Sequence, residues 1–225
     1  MPENAYARFG KRALDLLGTA GLLVVLFPLV LAVAAAIKLD SAGPVFYRQE
    51  RVGRFGRPFR LWKFRSMVVG AETKGAGILV EAGDGRITKV GRFLRKLSLD
   101  ELPQLFNVLA GEMSLIGPRP GLAYQVEKYD DRQKRRLLLR PGITGWAQIH
   151  GRNAIDWERR IELDVQYLER LSLRTDLYVL ARTLPVILKG EGMIASADYW
   201  RSKGRPEGKN DGAAGGPAAR SSGSS

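Results

Sequence analysis

The sequence predicts an α+β fold made of an N-terminal membrane helix and a small mixed domain with short strands and amphipathic interfacial helices. Three features support this class: a continuous apolar run over 16–37, short β-type segments separated by glycine and proline, and later segments with helical apolar periodicity. The predicted boundaries are 1–40 for the membrane helix with its basic flanks, 41–203 for the membrane-associated domain, and 204–225 for a disordered tail rich in glycine, alanine and serine.

The composition narrows the chemistry that the chain can perform. Its 225 residues suffice for one domain of ordinary size, and its formal charge of +13 calls for an acidic partner, whether nucleic acid, an anionic membrane or a phosphorylated substrate. The absence of cysteine excludes disulfides, thiolate nucleophiles and cysteine-based metal sites. His150 is the only histidine and is more typical of a structural residue. Any bound metal is therefore expected to be a hard cation held by carboxylate oxygens.

The apolar run over 16–37 is long enough to span a bilayer and too long for the core of an ordinary signal peptide. Basic residues flank it on both sides: Arg8, Lys11 and Arg12 before it, and Lys38, Arg48, Arg51 and Arg54 after it. Because positive charge favours the cytoplasmic face, both ends of the helix are expected on that face.

Pro28 lies near the middle of this run. Proline removes one backbone hydrogen bond and bends a helix, so we predict a re-entrant, monotopic helix that is broken at Phe27-Pro28 and leaves the bilayer on the side it entered. The alternative is a kinked helix that spans the membrane, because spanning helices also tolerate proline.

Two short strands are predicted after the membrane helix, over 44–47 and 59–64, with a glycine- and proline-rich turn between them. A glycine-rich loop over 70–85 follows. It contains neither a P-loop nor a dinucleotide-binding fingerprint.

The stretch 97–107 reads Leu-Ser-Leu-Asp-Glu-Leu-Pro-Gln-Leu-Phe-Asn and predicts a helix that starts near Ser98. Ser98 and Glu101 match a capping box, which places Asp100 and Glu101 in the first turn. The residues expected on the buried face are Leu102, Leu105, Phe106 and Leu109. The adjacent carboxylates either cap a helix or carry chemistry beside a helix N-terminus that attracts phosphate.

Further along, Arg119 lies between Pro118 and Pro120, which predicts a stiff loop that offers its guanidinium to a phosphate; the alternative is a plain surface charge. A helix is predicted over 125–139, with a basic end that either rests on anionic lipid or faces solvent. Amphipathic periodicity predicts a second helix over 156–171, and 177–188 suits a buried or interfacial helix.

Together these segments resemble one family, the bacterial sugar transferases, which are small monotopic phosphoglycosyl transferases that begin membrane glycan assembly. The resemblance covers roughly 6–188 and rests on the helix with Pro28, Lys63-Phe-Arg-Ser-Met67, Arg95 leading into 97–107, Met113-Ser-Leu-Ile-Gly-Pro-Arg-Pro120, Arg140-Pro-Gly-Ile-Thr-Gly-Trp-Ala-Gln148 and Gly151-Arg-Asn153. The chain matches the minimal form of the family, and Phe27-Pro28 stands where members often have Ser-Pro.

The resemblance implies transfer of a phosphosugar from a UDP-sugar to polyprenol phosphate, with polyprenol diphosphate sugar and UMP as products, at the cytoplasmic face of the bacterial inner membrane. It implies that Asp100 attacks the sugar-bearing phosphoryl group and contacts Mg²⁺, and that Glu101 deprotonates or orients the polyprenol phosphate. The residues matching the family's phosphate contacts are Lys63, Arg95, Arg119 and Arg152. Anionic phospholipid is an expected partner, nucleic acid is not, and a homodimer is left open.

Two other functions compete with this interpretation. A basic nucleic-acid-binding protein would explain the charge, although none of the usual binding motifs is present. A noncatalytic membrane scaffold for glycan assembly would keep the fold without the chemistry. The sequence indicates neither the sugar nor the pathway.

Overall fold

The computed structural model describes residues 5–73, 84–151 and 154–189, apart from the side chain of Glu72. Within these ranges, a π-helical turn, Tyr6–Gly10, precedes eight α-helices: α1 Lys11–Asp40, α2 Lys89–Lys96, α3 Gln104–Ala110, α4 Ala123–Val126, α5 Asp131–Lys134, α6 Trp146–Ile149, α7 Trp157–Glu169 and α8 Leu173–Lys189. The described residues also form four strands, β1 Phe46–Val52, β2 Pro58–Phe64, β3 Ser114–Ile116 and β4 Gly142–Thr144. This mixture confirms the α+β class. The predicted tail and 74–83 of the glycine-rich loop lie outside the described residues.

The strands form two small sheets. β1 and β2 make an antiparallel hairpin in register from Phe46 opposite Phe64 to Val52 opposite Pro58, and β3 pairs with β4 in parallel. The first strand is longer than predicted, because its polar residues Arg48–Arg51 hide the apolar alternation that indicates a strand. The main chain of β4 approaches the residue after β3 so closely that glycine is required at position 142. A Cβ on Gly142 would lie 2.0 Å from the Gly117 nitrogen.

The main hydrophobic core joins the β1–β2 hairpin to α3, β3, α7 and α8. Val108, Met113, Ile116 and Val179 are completely buried within it. A smaller cluster contains Phe64 and Leu94 together with residues from the second half of α1. These two clusters hold the hairpin and α3 in place, and the candidate site lies between them.

Helix α1 continues through Pro28 over all 30 of its residues, in place of the predicted break at Phe27-Pro28. The proline removes one N–H and crowds the preceding turn, and a long apolar helix accommodates this without leaving helical geometry. Within the described ranges, Tyr6–Asp40 is the one helix long and apolar enough to cross a membrane.

The N-terminal end of α1 is bound to the globular domain through buried polar contacts. Lys11 Nζ lies 2.8 Å from Asp176 Oδ2 on α8. Asp15 Oδ1 accepts hydrogen bonds from Ser114 Oγ and from the Leu115 nitrogen, each at 2.9 Å. The beginning of the helix is therefore fixed against both α8 and β3.

The C-terminal end of α1 is bound to the same domain. Arg65 donates to the carbonyl oxygens of Ser41 at 2.6 Å and Ala42 at 2.8 Å, and the Val90 nitrogen donates to Asp40 Oδ2 at 3.0 Å. Between the two anchored ends the apolar side chains are largely exposed, for example Leu17 at 76% and Val24 at 77%. A long apolar segment that is largely exposed on the protein surface supports membrane association.

The region predicted as one helix over 125–139 is divided into α4, α5 and a 3-10 turn, Arg135–Leu138. The division arises because Asp130 accepts a hydrogen bond from the Gln133 nitrogen and starts a new helix as its N-cap. Within the predicted basic end, Arg136 is buried, so that residue does not rest on lipid or face solvent.

The two helices predicted at the end of the domain are present as α7 and α8. α7 buries one face against the core and ends at Glu169. α8 leaves a stripe of exposed leucines at helical spacing, namely Leu173, Leu177, Leu180, Leu184 and Leu188. Such a stripe on a surface helix is typical of an interfacial helix.

Candidate active site

The two adjacent carboxylates lie in a turn rather than in the first turn of a helix. Asp100 and Glu101 belong to a 3-10 turn, Leu99–Glu101, and α3 begins only at Gln104 with Pro103 as its N-cap. The predicted capping box is wrong, because Ser98 has a φ of 55° and its side chain makes no capping hydrogen bond. This left-handed conformation ends α2 and redirects the chain.

The turn lies next to the smaller hydrophobic cluster, which includes residues of α1. Leu99 and Leu102, which flank the carboxylates, pack against the cluster that contains Val33 and Ile37 of α1. The candidate site therefore shares this cluster with the second half of α1.

The predicted buried face of α3 is correct for only part of its residues. Leu105 is buried, whereas Phe106 is 42% exposed and Leu109 is 41% exposed. The buried residues of α3 are Gln104, Leu105, Asn107 and Val108, so two polar side chains occupy the buried face in place of Phe106 and Leu109.

Four of the predicted site residues meet at this turn. Lys63 Nζ, near the end of β2, lies 3.3 Å from Glu101 Oε1 and 3.9 Å from Asp100 Oδ2. Arg119 Nη2 lies 2.5 Å from Glu101 Oε1, and its Nη1 lies 3.3 Å from Glu101 Oε2. Both carboxylate residues are buried. The arrangement is a buried pair of acids held between a lysine and an arginine.

The two carboxylates differ in their contacts. Glu101 is bound by both cations, whereas Asp100 accepts no hydrogen bond from the part of the chain that the structure describes and has Lys63 as its ion-pair partner. The Asp100 carboxylate is therefore available to a ligand or a substrate.

The pKa shifts of the pair follow this difference. Burial is the largest influence and raises the pKa of Asp100, against the opposing charge of Lys63 and with the added repulsion of Glu101. Burial also acts to raise the pKa of Glu101, but Arg119 and Lys63 overcome it and hold that pKa well below its usual range. Glu101 thus keeps its charge, and Asp100 is the carboxyl group of the pair that takes up a proton first.

This difference predicts a pH dependence for any reaction in which ionised Asp100 acts. Protonation removes the charged form as the pH falls through the raised pKa, so activity should decline at a higher pH than for an ordinary aspartate, whose pKa is about 3.9. A profile of kcat/KM between pH 4 and 9 measures this decline. A profile that stays flat down to about pH 4 would contradict the raised pKa.

The other predicted site residues are less directly placed. The positive charge of Arg95 reaches Asp100 and acts to lower its pKa. Arg152 lies outside the described residues. His150 is exposed, and its Nδ1 is 2.7 Å from the Trp146 carbonyl oxygen, away from the carboxylate pair.

The sequence interpretation missed Arg51 as a neighbour of the site. Its guanidinium lies 2.6 Å from Gln49 Oε1 and 3.4 Å from the carbonyl oxygen of Pro120, next to Arg119. Burial and then repulsion from Arg119 lower the pKa of Arg51 to about 10. Its place in a basic run suggested only a membrane flank. The register of Arg51 in the hairpin was the signal that could have indicated its place. Arg51 lies opposite the buried Phe59, and cross-strand partners share a face of the sheet.

Comparison with known proteins identifies the family. A family model described as bacterial sugar transferase matches residues 6–190, which is most of the chain. The chain belongs to the bacterial sugar transferase family. This result confirms the resemblance drawn from the motifs.

Relatives of this bacterial sugar transferase include the sugar transferase EpsL of Bacillus subtilis, which is 46% identical over 183 residues, or 81% of this chain and 89% of the relative. The UDP-N-acetylgalactosamine-undecaprenyl-phosphate N-acetylgalactosaminephosphotransferase of Aeromonas hydrophila is 45% identical over 198 residues, covering 85% of this chain and 46% of the relative. The UDP-glucose:undecaprenyl-phosphate glucose-1-phosphate transferase of Escherichia coli is 42% identical over 193 residues, covering 81% of this chain and 41% of the relative. The match thus spans less than half of the last two relatives.

Proposed function

We propose that this bacterial sugar transferase moves a sugar-1-phosphate from a UDP-sugar to polyprenol phosphate, producing polyprenol diphosphate sugar and UMP. The observation that carries the proposal is the Asp100 carboxylate, which is buried beside Lys63 and accepts no hydrogen bond from the described residues. The names of the Aeromonas and Escherichia relatives, each of which specifies a UDP-sugar and undecaprenyl phosphate, support the substrate classes.

In the first step, an Asp100 carboxylate oxygen attacks the phosphorus that carries the sugar. A bond forms between this oxygen and phosphorus, the bond from that phosphorus to the bridging oxygen breaks, and UMP leaves with the electron pair. A carboxylate that approaches a diphosphate meets strong repulsion. Lys63 and Arg119 reduce this repulsion because both cations already face the carboxylate pair.

In the second step, a phosphate oxygen of polyprenol phosphate attacks the same phosphorus, the bond to Asp100 breaks, and the carboxylate is restored. Glu101 is suited to orienting this acceptor through Lys63 and Arg119. Its lowered pKa makes it a weak base, so orientation explains its position better than proton abstraction does.

The site suits Mg²⁺ supplied together with the donor. Within the described ranges, no three histidine, aspartate or glutamate side chains group into a metal site. Mg²⁺ commonly takes one or two carboxylates and completes its coordination with substrate phosphates and water, and Asp100 has a carboxylate available for this. When bound, the cation would neutralise charge on the diphosphate.

We further propose that α1, which stays helical through Pro28, bends there and is re-entrant, and that the domain lies on the cytoplasmic face. Both ends of α1 contact one globular domain, through Lys11 and Asp15 at one end and Asp40 at the other, while its middle is exposed and apolar. A helix that crossed the bilayer would have its two ends on opposite faces, so a domain bound to both ends would itself have to extend through the bilayer. The basic flanks on both sides favour the cytoplasmic face.

Cysteine labelling tests this topology, since the chain contains no cysteine of its own. Ala5→Cys and Ala42→Cys place thiols at exposed positions near the two ends of α1. We expect a membrane-impermeant maleimide to label both variants in inside-out vesicles and neither in right-side-out vesicles. Labelling of the two variants from opposite sides would reject the re-entrant path.

The proposed activity is tested by UMP release. Purified protein is incubated with Mg²⁺, undecaprenyl phosphate and UDP-glucose, UDP-galactose or UDP-N-acetylgalactosamine in turn. We expect sustained UMP release with at least one donor and none without Mg²⁺. Release of UDP instead would indicate a conventional glycosyltransferase, and the absence of any nucleotide product from all three donors would favour a scaffold.

A further inference from the structure

The loop that carries Arg119 is held by its backbone from several directions. Each carbonyl oxygen from Pro118 to Gly121 accepts a hydrogen bond from another part of the chain: Pro118 from the Gly142 nitrogen at 2.9 Å, Arg119 from Arg136 Nη2 at 2.7 Å, Pro120 from Arg51 Nη1 at 3.4 Å, and Gly121 from the Val52 nitrogen at 3.0 Å. Pro118 and Pro120 have no backbone N–H, so neither leaves an unpaired donor in the loop. The main chain is thus fixed, and the Arg119 side chain extends to Glu101.

Arg136 is the side chain that bonds the carbonyl of Arg119 itself. It is 7% exposed, its Nη2 lies 2.5 Å from Asp164 Oδ2 on α7, and its Nη1 donates to the Tyr129 hydroxyl. One guanidinium thereby connects α7 to the residue that binds the candidate catalytic pair.

A buried ion pair is a poor device for stability alone. Removing two charges from water is costly, and well-packed apolar residues of similar volume often stabilise a protein as well or better. The hydrogen bond from Arg136 to the Arg119 carbonyl is the feature that an apolar replacement would not reproduce. Its loss would let the Arg119 guanidinium move relative to Glu101, to which it is bound at 2.5 Å.

We infer that Arg136 and Asp164 form a positioning pair that acts on the reaction through Arg119. In this role the pair acts without contacting donor or acceptor. It fixes the backbone of Arg119, and Arg119 in turn fixes Glu101 and faces the incoming phosphate. This role rests on the proposed function, because the geometry it controls is that of a phosphoryl-transfer site.

A double-mutant cycle tests this inference. Arg136→Met/Asp164→Leu replaces the buried pair by apolar side chains, and it is made in the wild type and in Arg119→Ala. The matched control is Arg132→Gln/Glu162→Gln, which removes an exposed ion pair of 2.7 Å between α5 and the same helix α7. Arg136→Lys, which keeps a charge beside Asp164, is a second variant should the apolar pair fail to fold.

We expect the apolar pair to lower kcat/KM for UMP release about 10- to 100-fold in the wild type and less than about twofold in Arg119→Ala, since a misplacement near 1 Å can cost about 100-fold. The control should change kcat/KM less than about twofold, as is usual for an exposed pair. An equal loss in both backgrounds would show that the pair does not act through Arg119 and would overturn the inference, as would full activity of the apolar pair.

Amide hydrogen exchange separates this inference from the proposed function. The peptide that contains Arg119 should exchange faster in Arg136→Met/Asp164→Leu than in the wild type. Its exchange in the control should equal that of the wild type. Unchanged exchange in the apolar pair would overturn the positioning role whatever the activity. Faster exchange in a protein that releases no UMP from any donor would support the positioning of Arg119 and reject the proposed function instead.

Discussion

Asp100→Asn should reduce UMP release by about 10⁴- to 10⁶-fold, the range expected when a covalent nucleophile is removed. The amide oxygen cannot supply the electron pair that forms the bond to phosphorus. The side chain keeps its shape, and no hydrogen bond from the described residues is lost because Asp100 accepts none. Rates with saturating donor and acceptor, compared with those of the wild type, give the size of the loss.

Stability provides the control for this variant. Because the folded-state pKa of Asp100 is raised, the protonated carboxyl favours folding and that contribution is lost as the pH rises through the raised pKa. At pH 7.5 the charged aspartate therefore opposes folding, and Asp100→Asn should melt at or above the wild-type temperature. An inactive but less stable variant would point to misfolding, and an active Asp100→Asn would reject the covalent role.

Glu101→Gln should slow the second step much more than the first. Removing this charge releases Lys63 and Arg119, which Glu101 holds at 3.3 and 2.5 Å, so the acceptor phosphate loses its orienting contacts. We expect the second step to fall about 100- to 1,000-fold, the range for loss of one preorganised electrostatic contact, and the first step by less than about tenfold. Rapid mixing with donor alone, followed by addition of undecaprenyl phosphate, measures the two steps separately.

The pH profile of the first step tests the same variant independently. The charge of Glu101 helps to raise the pKa of Asp100, so its removal should move the acid limb to lower pH. Equal losses in both steps together with an unmoved acid limb would contradict the division of roles between the two carboxylates.

Elements with strong local periodicity were predictable from the sequence. The pattern over 156–171 predicted α7, and the apolar run over 16–37 predicted the core of α1. The divided region 125–139 was not, because no glycine or proline marks the division, which arises where the Asp130 side chain starts a new helix. The three-residue strands β3 and β4 carry no alternation and depend on contacts between distant segments.

Four residues of the candidate site were predictable from the sequence, but their geometry was not. The motifs indicated Asp100, Glu101, Lys63 and Arg119, which the structure brings together. The left-handed Ser98 that turns the carboxylates toward Lys63 has no signature in a sequence that equally fits a capping box. The buried role of Arg136 was hidden for another reason: a charged residue in a basic run resembles a surface residue until the tertiary fold supplies Asp164.

Trapping of the phosphosugar on the protein tests the central claim most directly. Wild-type enzyme is mixed with a UDP-sugar labelled at the phosphorus next to the sugar, without acceptor, and then digested and mapped by mass spectrometry. The proposed mechanism predicts UMP in an amount equal to the enzyme, label on the peptide that contains Asp100, and transfer of that label to undecaprenyl phosphate when it is added. Unlabelled protein that releases UMP only when donor and acceptor are present together would contradict it.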